Sequence, residues 1–177
     1  MTNWTASFMG GKQAGCIGLL SLYAAGFTPT AVVAYDELVK QLSETLGIPV
    51  TSSIHDSSFQ ESLSRSHILV SVHGRQIVPE KYLSLPTLGG INAHPCLYRY
   101  KGADPVGRLL QEGNNRASVG VHRMTTVLDE GEVLAEEFVM VDGKETVEAV
   151  YNALYPFYAT ALLKALKILQ ERIQTTA

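Results

Sequence analysis

Three polar residues stand where the surrounding chain is apolar or turning. Asn92 and His94 close the apolar run Gly89 to Ala93, and Asp129 follows 35 residues later in Leu128-Asp129-Glu130-Gly131-Glu132. An amide, an imidazole and a carboxylate are the parts that acyl transfer needs. The first two can donate to an oxygen on which charge builds, and the last two can move a proton. Taken singly, each has an ordinary explanation. A histidine is commonly satisfied by a backbone carbonyl, an asparagine bonds nearby backbone at a strand end, and an aspartate shapes a turn. Asn92 and His94 together, just beyond a buried strand, tip the reading towards a site, and Asp129 draws its case from their company.

A second candidate is the loop Met9-Gly10-Gly11-Lys12-Gln13-Ala14-Gly15, which follows one strand and opens a helix. Its backbone N–H groups and Lys12 can meet an anion there. It has neither the lysine-serine/threonine ending of a P-loop nor G-x-G-x-x-G spacing. A tight strand-to-helix turn explains Gly10 and Gly11 equally well. His55, His67 and His122 show no metal-ligand spacing and read as structural. Cys16 and Cys96 lack both that spacing and the density of a disulfide scaffold, and read as reduced packing residues. Lys164, Lys167 and Arg172 read as a solvated helix face.

The elements that must position these groups alternate. Thr5 to Met9 reads as a strand, Lys12 to Ala25 as a helix, Thr30 to Tyr35 as a strand, and Glu37 to Leu46 as a helix with Leu38, Leu42 and Leu46 on one stripe. Val50 to Ile54, Ile68 to Val72 and Gly89 to Ala93 read as further strands, with a short helix from Ser57 to Ser64 and a helical or irregular connection from Ile77 to Pro86. Pro95 is expected to break pairing. Pro105 to Glu112 suits a helix with proline in its first turn. Ser118 to Met124 and Val133 to Val141 read as two strands added antiparallel, the second ending at the turn Asp142-Gly143. The tail, about 145 to 174, is helical, with Leu162, Leu166, Leu169 and Ile173 on one face and a bend expected at Pro156. This alternation predicts an α/β fold, a mostly parallel twisted sheet with helices on both faces. Ligands of such sheets sit outside the carboxyl ends of the strands, which places Gly10-Gly11, His73-Gly74, His94 and the Asp129 turn along one edge.

At 177 residues with 46% hydrophobic content, the chain has material for one sizeable core and would be cramped as two domains. A net charge of −3 supplies no general field for a polyanion, so bulk nucleic acid is not an expected partner. The N-terminus lacks the basic-then-apolar order of a signal peptide, and no apolar stretch approaches the about 20 residues that span a bilayer. A cytoplasmic setting without membrane partners is the expectation. There is no internal repeat, low-complexity segment or linker.

Four blocks in order carry a resemblance: Val70-Ser71-Val72-His73-Gly74-Arg75-Gln76-Ile77-Val78-Pro79, Gly90-Ile91-Asn92-Ala93-His94-Pro95, Lys101-Gly102-Ala103-Asp104-Pro105 and Val127-Leu128-Asp129-Glu130-Gly131-Glu132-Val133-Leu134. Between about Thr5 and Val141 the chain resembles the formyltransferase catalytic domain. That family includes methionyl-tRNA formyltransferase, glycinamide ribonucleotide transformylase and the N-formyltransferases of nucleotide-linked amino sugars. The resemblance implies a Rossmann-like fold and one catalytic domain over residues 1–177. It implies N10-formyltetrahydrofolate as formyl donor, an amine as acceptor, and no metal. Asn92, His94 and Asp129 match the family's catalytic trio. Asn92 and His94 would donate to the oxyanion of a tetrahedral intermediate, and Asp129 would orient the imidazole, directly or through water. The donor's pteridine would lie between the loops His73, Gly74, Arg75, Gln76, Ile77 and Val127, Leu128, Asp129, Glu130, Gly131, held mainly by backbone.

The chain departs from the family pattern after His94, where Cys96-Leu97-Tyr98-Arg99-Tyr100-Lys101-Gly102 is one residue shorter than usual and lacks a proline. Position 73 is histidine where relatives often have tyrosine, and only Asp36 separates the second strand from its helix. These changes bear on the acceptor rather than on the reaction. Formylation of transfer RNA in the family uses an added C-terminal domain, for which a chain ending in this helix leaves no room. The loop after the first strand also differs from that of the purine-pathway enzyme. A nucleotide-linked amino sugar is the expected acceptor, with Gly10, Gly11, Lys12, Arg99 or Lys101 towards phosphate and Tyr98 or Tyr100 stacked on a base or sugar. The alternatives are a folate-binding or regulatory module without turnover, a formyltetrahydrofolate hydrolase, and a glycinamide ribonucleotide-type transformylase. The sequence leaves the oligomeric state open.

Overall fold

The computed structural model describes residues 4–142 and 145–174. Gly143, half of the expected Asp142-Gly143 turn, lies outside them. Strand β1 (Trp4–Gly10) leads into α1 (Lys12–Ala24), β2 (Phe27–Ala34), α2 (Glu37–Thr45) and the two-residue β3 (Val50–Thr51). Then come α3 (Ser57–Arg65), β4 (Ile68–Val72), the single turn α4 (Glu80–Leu83), β5 (Gly90–Pro95), α5 (Pro105–Gln111), β6 (Arg116–Arg123), β7 (Val133–Met140) and α6 (Val147–Gln174). The strands form one sheet ordered β3-β2-β1-β4-β5-β6-β7. Pairing is parallel from β3 to β5 and antiparallel for β5–β6 and β6–β7. The chain winds outward from β1 in one direction, then restarts at β4 in the other. The loops after β1 and β4 therefore diverge and open a crevice at their carboxyl ends.

Strand alternation assigns side chains to the two faces. Phe8, Val32, Val70, Val72, Ile91, Ala93, Val119 and Val121 pack under α1, α5 and α6 in the larger core, where α6 contributes Leu154, Tyr158, Leu162, Leu166 and Leu169. On the other face Met9, Val33 and Leu69 meet Phe59 and Leu63 of α3 and Tyr82 of α4. The apolar runs of β1, β2 and β4 read as strands because they are covered on both sides.

Four local expectations are corrected. The buried line of α2 is Val39 and Ser43, while Leu38 is 51% exposed and Leu42 only partly buried. Asp36 caps the helix by accepting from Val39 N at 3.2 Å, and that cap sets its phase. Strand β3 stops at Thr51, because the Thr51 hydroxyl bonds Ser53 in a local turn and Ile54 N donates to the Gln76 side chain at 3.1 Å. Strand β5 instead continues through Pro95. Cys96 N donates to Ser118 O of β6 at 2.8 Å, so position 95 turns its missing N–H to the other side, where pairing with β4 has ended at Ala93. Helix α6 runs unbroken through Pro156, with buried residues from Val150 to Leu169 pinning both flanks to the sheet.

Candidate active site

The site grows from one row of side chains. Parallel and antiparallel register set Ser71 of β4 beside Asn92 of β5, and Asn92 beside His122 of β6, all on the face away from the larger core. His94, two residues on, shares that face. Its partner on β6 is Gly120, where any side chain would strike Leu97 at 2.6 Å. The loop between β6 and β7 then folds back and delivers Asp129. That fold-back requires glycine at 131, since a Cβ there would overlap the Arg123 carbonyl oxygen.

Asp129 is the hub. Its Oδ2 lies 3.1 Å from His94 Nε2 and accepts from Gly102 N at 2.8 Å, while Oδ1 lies 3.3 Å from His122 Nε2. Burial alone pushes the carboxyl pKa up. Hydrogen bonds from His122, His94 and the Gly102 N–H outweigh it and hold the group well below the usual carboxylate range. His94 Nε2 also lies 3.1 Å from the Gly102 carbonyl. Both neighbours of Nε2 are acceptors, so the proton resides there. Nδ1 is left buried and without a partner among the described residues. His122 has its Nδ1 2.8 Å from the Arg123 carbonyl and its Nε2 3.3 Å from Asn92 Nδ2. With its Nε2–H given to Asp129, this ring nitrogen accepts nothing from Asn92, and the Asn92 amide hydrogens remain for a ligand. His122, read as structural from the sequence, belongs to this cluster. The missed signal was its alternation within Ser118 to Met124, which places it opposite Asn92 once β6 is paired with β5.

Beside the cluster is a cavity of about 420 Å³ lined by Ser71, Gly74 to Val78, Asn92, His94, Gly102, Ala103, His122, Met124 to Thr126, Leu128 and Asp129. The strained backbone gathers at the same edge. Lys12, His73, Cys96, Asp104 and Asp129 have φ between 50° and 59°, and among the described residues they are the non-glycine positions with positive φ. Such strain concentrates where a fold must aim groups at a site.

The structure thus brings Asn92, His94 and Asp129 together, with Gly74, Arg75, Gln76, Ile77 and Leu128 on the cavity wall. Gln76 turns its side chain away, accepting from Tyr35 Oη and Ile54 N and reaching Ser53 Oγ at 3.3 Å, which leaves its backbone to the cavity. Val127, Glu130 and Gly131 flank the wall without lining it, and Glu130 pairs with Lys101 at 2.8 Å. His73 turns towards α6, where its Nε2 meets Tyr158 Oη at 3.1 Å. Burial, and then the charges of Lys12, His94 and Arg75, bring its pKa down to about 4.

None of the residues expected towards the acceptor lines the cavity. Gly10 and Gly11 make the β1–α1 turn, and the first free amide of α1, Lys12 N, donates to the Asp36 carboxylate. Tyr98 Oη donates to Arg116 O at 2.7 Å, and its ring packs edge-on against Phe138. Tyr100 is buried, with its hydroxyl on Glu112. Arg99 pairs with Glu112 at 2.8 Å. Among the described residues no helix is long and apolar enough to cross a membrane.

An α/β sheet whose amide, imidazoles and carboxylate meet at a carboxyl-edge cavity is a frame for group transfer. The formyl transferase family model matches residues 29–166, and the chain belongs to that family. A methionyl-tRNA formyltransferase of Natranaerobius thermophilus is 31% identical over 137 residues, covering 75% of this chain and 44% of that protein. The bifunctional polymyxin resistance protein ArnA of Wigglesworthia glossinidia brevipalpis is 29% identical over 157 residues, or 80% of this chain and 24% of that one. The chain spans less than half the length of these curated relatives. In fold it is similar to a phosphoribosylglycinamide formyltransferase from Anaplasma phagocytophilum, with a TM-score of 0.81 at 18% identity over 97% of this chain and 89% of that one.

Proposed function

We propose that the protein transfers a formyl group from N10-formyltetrahydrofolate to the primary amine of a small acceptor. The observation that carries this reading is the 3.1 Å contact between Asp129 Oδ2 and His94 Nε2 on the wall of a cavity that Asn92 shares. The residues present fit the donor. Ile77, Val78, Met124 and Leu128 offer apolar surface to a flat ring, and the loop from Gly74 to Val78 offers backbone to its polar edge. The orphaned Nδ1 of His94 is a polar atom awaiting a partner.

When bound, the donor supplies an activated formyl carbon open to attack by an amine. Asn92 offers an amide N–H to the formyl oxygen. His94 takes the amine's proton at Nδ1, its one ring nitrogen not committed to the protein, places positive charge near that oxygen as an imidazolium, and returns the proton to the donor nitrogen as its bond to the formyl carbon breaks. Asp129 fixes the tautomer and stabilises the imidazolium, as a depressed carboxyl pKa requires. A preorganised donor at such an oxygen is worth about 3 kcal/mol of barrier. His94→Ala and Asp129→Asn are expected to abolish formyl transfer while circular dichroism and melting stay native-like. Near-normal turnover by either variant would remove these roles.

For the acceptor, a nucleotide-linked amino sugar is the reading we favour. Of the three basic residues considered for its phosphates, Arg99 and Lys101 are ion-paired to Glu112 and Glu130. Lys12 has no carboxylate partner for its ammonium group among the described residues, and it carries the phosphate assignment. Incubation with the donor alone, with nucleotide-linked amino sugars, with glycinamide ribonucleotide and with methionyl-tRNA separates the readings. Donor loss with only one amine identifies the acceptor, donor loss without any amine identifies a hydrolase, and binding without loss identifies a module.

A further inference from the structure

We infer that Ser71 is a second hydrogen-bond donor to the transferred carbonyl, working beside Asn92. The inference rests on the formyl-transfer reading of the cavity. Ser71 is the polar residue in the run Ile-Leu-Val-Ser-Val of β4, whose other four positions are apolar and fully covered. It is only 2% exposed, yet it lines the cavity. Among the described residues its hydroxyl has no hydrogen-bond partner, whereas Ser7 of β1, on the same sheet face, bonds Ser66 at 2.8 Å. The Ser71 oxygen is not sealed off, and a ligand's polar atom in the cavity can become its partner.

Position decides which ligand atom that is. Ser71 and Asn92 are register partners on parallel strands, so their side chains stand side by side on one face. His122 occupies the opposite flank of Asn92, with its Nε2–H given to Asp129. An oxygen bound to the Asn92 amide on the side away from His122 lies on the flank that Ser71 faces. Gly74 closes over Ser71: a Cβ there would stand 2.5 Å from its Oγ. The hydroxyl is thus walled by backbone above and strand below, with the cavity as its outlet. Two donors from neighbouring strands, held by sheet hydrogen bonds, are preorganised for one oxygen.

The test is Ser71→Ala. The apo variant is expected to melt no lower than wild type, because the deleted group has no partner to lose. Its kcat for formyl transfer or donor hydrolysis is expected to fall roughly 100-fold. Affinity for a stable N10-formyl folate analogue is expected to fall about tenfold, while affinity for the same analogue without the formyl group is unchanged. A lower apo melting temperature would make Ser71 a packing residue. Equal weakening of both analogues would place the hydroxyl on the ring, and unchanged kcat and affinities would leave it no role; either result overturns the inference. If the wild-type protein consumes no donor, the formyl-transfer reading fails by that fact, and the analogue pair still decides whether Ser71 reads the formyl oxygen.

Discussion

His122 Nε2 lies 3.3 Å from Asp129 Oδ1, so the carboxylate that holds His94 is itself held from the opposite side by a histidine on the neighbouring strand. Both residues are buried, and the contact joins the tip of the β6–β7 loop to the end of the row Ser71, Asn92, His122.

Replacing His122 by alanine removes one support from Asp129 and the ring that flanks the Asn92 amide. We expect kcat to fall roughly 10- to 100-fold, less than for His94→Ala, and stability to fall by about 1–3 kcal/mol as a buried carboxylate oxygen loses its partner. Parallel measurement of turnover and urea denaturation checks both. Unchanged kcat with lowered stability would return His122 to a purely structural role.

Gly102 joins the same pair through its backbone, giving its N–H to Asp129 and receiving His94 Nε2–H at its carbonyl. Its φ is +79°, and a Cβ there would meet nothing within 4 Å. Gly102→Ala therefore acts through backbone conformation alone, with an expected cost of about 1 kcal/mol. Any relaxation of that strain moves both of its hydrogen bonds, so turnover is expected to drop further than stability. Melting curves compared with kcat test this.

Gly131 is a steric case. A side chain there runs into the Arg123 carbonyl, which is backbone and cannot step aside. Gly131→Ala is expected to expel the loop carrying Asp129, costing roughly 3 kcal/mol or more and eliminating activity. A well-folded, active variant would contradict the fold-back described for this loop.

Two groups give the pH dependence of stability its sign. His73 has a pKa brought down to about 4, chiefly by burial and then by Lys12, His94 and Arg75, against the opposing charge of Asp36. The unfolded chain takes up a proton near pH 6.5 that the folded chain refuses until about 4. Stability is therefore lost as pH falls through that window, by roughly 3 kcal/mol at its lower end. Asp129 is depressed as well, so its contribution is intact above the usual carboxylate range and is lost only below it. Melting temperature is expected to decline from pH 6.5 to 4, and His73→Phe to flatten that decline. A profile identical to wild type in the variant would contradict the assignment.

Much of the frame was legible before any coordinates. Ile68 to Val72 matches β4 residue for residue, and the starts of α1, α2, α3, α5 and β7 fall where capping, proline and apolar signals put them. Those signals are local. Three leucines outweigh Val39 in the hydrophobic pattern of α2, whereas the Asp36 cap and the packing under the sheet choose its buried face. Tyr98 and Tyr100, expected to stack on a base or sugar, do not line the cavity. In the fold Asn114 Nδ2 donates to both hydroxyls at 2.9 Å and draws them into the protein.

The sequence by itself determined the alternating α/β plan, the site at the sheet's carboxyl edge, and Asn92, His94 and Asp129 as its candidates, because residue type, local patterning and the order of four blocks along the chain carry them. Tertiary structure alone decided that His122 and Ser71 flank Asn92. Membership in that row follows from pairing register across β4, β5 and β6, and a slip of one residue turns each side chain to the opposite face. The shift between Val121 and His122 in the β6–β7 ladder lies beside one of these positions. Register is settled by the summed burial of both faces, a quantity no local stretch of sequence contains.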